Sequence, residues 1–140
     1  MNIVKITMAA ALVTFVAAGC CPCKKYQKKY GKPLQETEWK MVQFNGRTFD
    51  AQDGYTVVFG KDNRLSGVGD CNRLMGSYTA DNDGVMKISQ VASTRMMCPD
   101  QAQENSFMQM LGSVDSYQMD GPLLILFSNG EMKAVFEAKK

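Results

Sequence analysis

Histidine is absent from the 140-residue chain, and that absence removes much of ordinary enzyme chemistry. Ser–His and Cys–His nucleophile pairs need an imidazole base, and a histidine-ligated zinc site needs it as a ligand. No apolar run is long enough to cross a bilayer. The segment Ile6–Val16 (ITMAAALVTFV) is about eleven residues long, whereas a spanning helix needs about twenty. Acidic residues are missing before Glu36. Of the sixteen basic side chains, six precede Leu34 (Lys5, Lys24, Lys25, Lys28, Lys29 and Lys32), which leaves ten beside all fourteen acids, a balance of −4. The basic character therefore lies near the N-terminus, and the rest of the chain lacks the basic footprint that nucleic-acid binding requires. The run Gly67-Val68-Gly69-Asp70-Cys71-Asn72 lacks the third glycine and the strand-to-helix setting of a dinucleotide site. Asp62, Asp81, Asp83 and Asp120 stand in turn positions, where capping of backbone N–H groups accounts for them. No enzyme activity and no cofactor are expected. There is no internal repeat.

Sulfur is plentiful by contrast, with five cysteines and eleven methionines. Three of the cysteines fall within Ala17-Ala18-Gly19-Cys20-Cys21-Pro22-Cys23-Lys24-Lys25. Met1–Lys5 carries one positive charge and no acid, and the apolar run that follows has the length of a signal-peptide h-region. Small residues ending on Cys20 resemble the lipobox of bacterial lipoproteins, in which the cysteine thiol is acylated and becomes the new N-terminus. That pattern prefers Leu three residues before the cysteine; here Ala17 stands there. The resemblance implies that residues 1–19 are a signal peptide and Cys20 the lipidation site; ordinary cleavage after Ala18 or Gly19 is the alternative. No aspartate follows Cys20, so the outer membrane, with the domain in the periplasm, is the expected location. Buried acyl chains contribute about 0.8 kcal/mol per methylene.

Residues 20–33 form a lysine-rich tether. Lys24, Lys25, Lys28, Lys29 and Lys32 would be drawn to anionic headgroups by roughly 1 kcal/mol each, screened by salt. Like charge also keeps such a segment disordered, and fourteen flexible residues span roughly 20 Å. Cys21 and Cys23 are read as incidental thiols or an additional disulfide; the competing reading is a soft copper or redox site that also draws on the methionines.

From Trp39 onward the pattern is β-rich. Strands are expected at 39–44, 55–59, 64–69, 73–80, 85–89, 91–97, 116–119, 123–127 and 131–138, with Asn45-Gly46 and Asn129-Gly130 as hairpin turns. In the last strand Met132, Ala134, Phe136 and Ala138 should share the buried face. A single helix interrupts them. Asp100 is its N-cap with Gln103 three residues on, Phe107, Met110, Leu111 and Val114 form its apolar stripe, and Gly112 can end it. The fold class is α+β, a curved antiparallel sheet or partial β-barrel of about eight short strands with one helix packed across it.

Two segments stand out: Ser66-Gly67-Val68-Gly69-Asp70-Cys71-Asn72-Arg73-Leu74-Met75-Gly76-Ser77-Tyr78 and Thr94-Arg95-Met96-Met97-Cys98. In this order, after Trp39 and before the helix, they closely resemble the META (HslJ-like) domain family. The resemblance covers roughly Leu34–Glu137, within a domain taken as residues 34–140. It implies an α+β fold of antiparallel strands, a bacterial envelope location and a link to stress tolerance and envelope maintenance. It implies no catalytic residue set.

Cys71 and Cys98 each lie within one signature segment, and an exported chain meets an oxidising compartment. A disulfide between them is the expected pairing; free buried thiols, or pairing with Cys21 or Cys23, are the alternatives. Asn72, Arg73 and Arg95 are read first as a hydrogen-bond network or strand-end caps, and second as a contact for a partner or anion. Met75, Met96, Met97, Met108 and Met110 are read as core filler. The chain is expected to act as a monomer that binds an unidentified envelope protein or ligand. The rival from another class is an inhibitor of a periplasmic or cell-wall hydrolase.

Overall fold

The computed structural model describes residues 22–49 and 54–139; for residues 22–24 it describes the backbone only. Cys20, Cys21 and the signal segment lie outside the described residues, as do the side chains of Cys23 and Lys24.

Strands form where β-branched and aromatic residues alternate with polar ones. In chain order they are β1 (Glu38–Phe44), β2 (Arg47–Thr48), β3 (Thr56–Phe59), β4 (Arg64–Val68), β5 (Arg73–Ala80), β6 (Met86–Ser93), β7 (Ser116–Asp120), β8 (Leu123–Ser128) and β9 (Glu131–Ala138). Two helices accompany them, α1 (Pro22–Tyr30) and α2 (Gln101–Ser113). The sheet is antiparallel in the order β6-β5-β4-β3-β1-β9-β8-β7, with β2 a short hairpin partner of β1. It curls until its edges meet at a single Val85–Ser116 bridge. The result is a half-barrel, with α2 packed against it, as expected.

Both Asn-Gly turns are present. Asn45 and Gly46 have φ of 51° and 78°, and Asn129 and Gly130 have 51° and 76°, the left-handed pair that matches strand twist. The inner face collects Trp39, Met41, Val57, Phe59, Leu65, Leu74, Tyr78, Ile88, Leu124, Leu126 and Phe136. From α2, Phe107 enters this core, edge-on to Tyr55 and Phe44 and tilted against Phe136.

Four expectations need correction. The lysine tether is not a disordered spacer between 22 and 30 but the helix α1. It docks on the β7–β8 turn, where Gly121 N–H donates to Gln27 Oε1 at 2.5 Å. Residues 85–89 and 91–97 are not two strands. They form one strand ending at Ser93, with a bulge at Gln90 (φ 56°) where the register against β5 slips between Met75 and Ser77. Gly112 lies inside α2, and the helix stops at Val114, whose backbone turns extended. Met132 leaves the buried face, because a bulge shifts the register between Leu126 and Phe127 and reverses the alternation.

The topology gives the barrel two ends. One gathers the turns at 60–63, 81–84 and 121–122, together with α1. The other gathers the β4–β5 loop, the segment after β6 and the first turn of α2.

Candidate functional site

The second end holds both signature segments, and what joins them is a buried carboxylate. Glu104 sits in the first turn of α2 and is fully buried. Its Oε2 accepts from the N–H groups of Asp70 (3.0 Å) and Asn72 (3.4 Å), and its Oε1 accepts from Asn72 Nδ2 at 2.6 Å. A buried charge needs this saturation by donors, and the helix N-terminus adds favourable partial charge. Gly69 follows from the same geometry. A Cβ there would lie 2.6 Å from Glu104 Oε2, so only glycine lets the loop close over the carboxylate.

Asn72 is the hub. Its Oδ1 accepts from Thr94 Oγ1 (2.9 Å) and from Met96 N–H (2.8 Å), while its Nδ2 also donates to Met96 O (3.1 Å). Arg73 N–H donates to Thr94 Oγ1, and Thr94 N–H returns a bond to Arg73 O, both at 3.0 Å. Beside the hub, Cys71 and Cys98 form a disulfide with Cα atoms 5.6 Å apart. Asp70 Oδ2 accepts from Asp100 N–H, and Asp100 in turn caps α2 by accepting from Gln103 N–H, both at 3.0 Å. Loop, post-β6 segment and helix start are thus tied by one covalent bond and a continuous polar network.

Tyr55 lies under this network, stacked edge-on against Phe107 and Phe49 at 4.9 and 5.2 Å. Its hydroxyl is buried without a hydrogen-bond partner among the described residues. Burial, and after it the negative charges of Asp70, Asp100 and Glu104, push its pKa up to about 12. Next to it a groove of about 530 Å³ runs between the β1–β2 hairpin and the first turns of α2, lined by Phe44, Arg47, Phe49, Asp100 and Gln103 among others.

Of the residues expected to meet a partner, Asn72 is buried and occupied internally. Arg73 and Arg95 are exposed at the rim, and neither makes an ion pair among the described residues. The methionines divide. Met110 is buried and Met108 packs against the core, but Met75 and Met96 are 56% exposed and Met97 is 99% exposed. The expectation of core packing fails for these three because Thr94–Met97 is not a strand and Met75 points outward from β5. Among the described residues, no three histidine, cysteine or carboxylate groups cluster as metal ligands.

The residue that sequence reasoning passed over is Glu104. Its signal was its place, three residues before Phe107 and seven before Leu111, on the apolar stripe of the helix. An acid there must be paid for by donors.

A comparison with curated proteins returns no match. Solved structures of the same fold do exist. One is an NMR structure of a protein from Burkholderia xenovorans, at 23% identity and TM-score 0.59, covering 76% of this chain and 84% of that one. Another is a crystal structure of a DUF4847 family protein from Bacteroides vulgatus, at 18% identity and TM-score 0.57, covering 81% and 96%. At these identities the likeness concerns the fold alone. The META domain family matches residues 32–140, and those residues contain both signature segments and the glutamate that joins them. The chain belongs to the META domain family.

Proposed function

We propose that the chain is a non-enzymatic lipoprotein of a bacterial envelope, anchored through Cys20, that supports stress tolerance by binding another envelope component at the end of the domain remote from α1. The observation that carries this reading is the pairing of Cys71 with Cys98 across the two signature segments. A disulfide built into the domain frame belongs to an oxidising compartment, which agrees with the export signal read before Cys20. Support for a binding role comes from where the polar groups go. Both oxygens of Glu104 are taken by internal donors, so the network stiffens a surface. Arg73 and Arg95 stand exposed at its rim.

The test is the intact mass of protein extracted from membranes with detergent, before and after reduction. The expected result is a chain beginning at Cys20 with acyl groups, gaining the hydrogens of one disulfide on reduction, while Cys20→Ser moves the protein to the soluble fraction. An unlipidated chain recovered from the soluble fraction would overturn the anchor.

A second reading has one specific observation in its favour. Thr94–Met97 is an exposed loop held at its base by Asn72 and the disulfide, the form of a loop that inserts into the cleft of a periplasmic or cell-wall hydrolase. Co-purification of a single hydrolase, abolished by Arg95→Ala/Met97→Ala, would move this reading ahead of the first.

A further inference from the structure

We infer that the groove between the β1–β2 hairpin and α2 is a binding site for an uncharged, N-acetylated oligosaccharide. The inference goes beyond the reading above: it uses neither Arg73 nor Arg95, and it stands whether or not Cys20 is acylated.

The surface of α2 is the first observation. Between Gln101 and Ser113 its one charged residue is Glu104, which is buried, although 21% of the whole chain is charged. The exposed face of a helix ordinarily carries charges. Here it is built of amides, hydroxyls and small residues, among them Asn105, Ser106, Gln109 and Gly112. Asn105, Ser106, Gly112 and Ser113 are also weak helix formers, so helix stability did not set the composition of this face. Local preferences broken in this way mark functional surface.

Geometry is the second. The groove has two parts of about 530 and 330 Å³ that share Phe44, Asn45 and Ser106. Together they follow α2 from Asp100 to Ser113, roughly 20 Å at a helical rise of 1.5 Å per residue. Both walls are held in place. Asn45 N–H donates to Lys133 O and Phe49 N–H to Val42 O, each at 2.9 Å, which fixes the hairpin. Glu104 and the disulfide fix the start of α2. Walls that are already ordered lose little entropy when a ligand binds.

The lining chemistry selects the ligand. The side-chain amides of Asn45, Gln103 and Gln109 line this space and make no hydrogen bond among the described residues. Gln101 and Asn105, which do not line it, bond to each other at 3.2 Å instead. Each free amide offers two donors and an acceptor, the complement of sugar hydroxyls and of an acetamido group. Phe44 and Phe49 add apolar ring surface for the C–H face of a pyranose and the acetamido methyl. Charge is largely spoken for. Lys133 pairs with Glu131 at 2.8 Å, and the Asp100 carboxylate caps α2. Arg47 is the unpaired member of the three among the described residues, and beside Asp100 it favours no ion of either sign. A peptide strand fits less well, because β2 offers two residues of sheet edge, too few for strand addition.

The experiment titrates the full chain, extracted in a detergent without a sugar headgroup, with tetra-N-acetylchitotetraose, followed by NMR and calorimetry. The side-chain amide resonances of Asn45, Gln103 and Gln109 should move. Cellotetraose, which lacks the acetamido groups, should bind at least about fivefold more weakly through the hydrogen bonds it cannot make. Gln103→Ala/Gln109→Ala should weaken binding about tenfold, as loss of two hydrogen bonds allows, without lowering the melting temperature. Gln101→Ala/Asn105→Ala should leave binding unchanged. Affinity should vary by less than about twofold between roughly 0.05 and 0.5 M sodium chloride, because the ligand carries no charge to be screened. No binding at about 10 mM sugar, far weaker than a specific site, would overturn the inference. So would wild-type affinity in Gln103→Ala/Gln109→Ala, and equal binding of cellotetraose would overturn the assigned ligand class.

Discussion

At the scale of single residues, the domain hinges on a carboxylate and an amide that face each other. Glu104 Oε1 and Asn72 Nδ2 are 2.6 Å apart, so the amide must point its nitrogen at the acid and its oxygen at Thr94 and Met96. Asn72→Asp keeps the shape and reverses that logic, setting two buried carboxylates together. It should cost about 3 kcal/mol or more, read as a lower denaturant midpoint with an unchanged m-value. Tyr55→Phe runs the other way. Its hydroxyl is buried and has no partner among the described residues, so removing it should be neutral or stabilising by about 1 kcal/mol. The same residue sets an alkaline limit. Its folded pKa of about 12 stands above the ordinary 10.0, so between these values the unfolded state loses a proton that the folded state keeps. Stability should therefore be intact below pH 10 and fall as pH rises toward 12, by on the order of 2 kcal/mol. Melting curves of wild type and Tyr55→Phe across that range should differ by this decline.

At the scale of elements, the disulfide and the α2 cap hold the remote end together. Cys71 and Cys98 are 27 positions apart, and closing such a loop stabilises by about 3.6 kcal/mol in the chain-entropy treatment. Cys71→Ser/Cys98→Ser should lower the thermal midpoint accordingly, and added reductant should then have no further effect on the double variant. Asp100→Ala should cost about 1 kcal/mol through the lost bond to Gln103 N–H, while the bond from the Asp100 backbone N–H to Asp70 Oδ2 remains. Phe107→Ala should be more severe, about 3 to 5 kcal/mol, because the ring fills the space among Tyr55, Phe44 and Phe136.

At the scale of the whole molecule, α1 and the signature network occupy opposite ends of the half-barrel. A chain anchored through residue 20 would thus hold its Arg73–Arg95 rim away from the membrane. The helix itself contributes little to the domain: among the described residues its hydrogen bond to the sheet is that from Gly121 N–H to Gln27, with the Tyr26 ring beside it. A chain starting at Lys32 should therefore keep its unfolding free energy within about 1 kcal/mol of the longer form, measured by chemical denaturation.

The sequence alone determined the class of the fold, the two Asn-Gly hairpins and the Asp100 cap, and it made Cys71 with Cys98 the expected pairing among alternatives it left open. These rest on local signals: alternation, positive φ at a turn, a capping side chain, a motif at fixed spacing. Tertiary structure alone decided four things. Residues 22–30 are helical and docked, although their charge pattern reads as a solvated spacer. One bulge at Gln90 merges two expected strands, and another in β9 turns Met132 outward, because a register slip depends on the partner strand. Met96 and Met97 face solvent, since the segment after Ser93 leaves the sheet, and Met75 because it points outward from β5. Glu104 becomes the keystone because its donors come from Asp70 and Asn72, more than thirty residues away in the chain. Long-range donors to a buried charge leave no periodic trace in sequence; they exist only once the loop has closed over the helix.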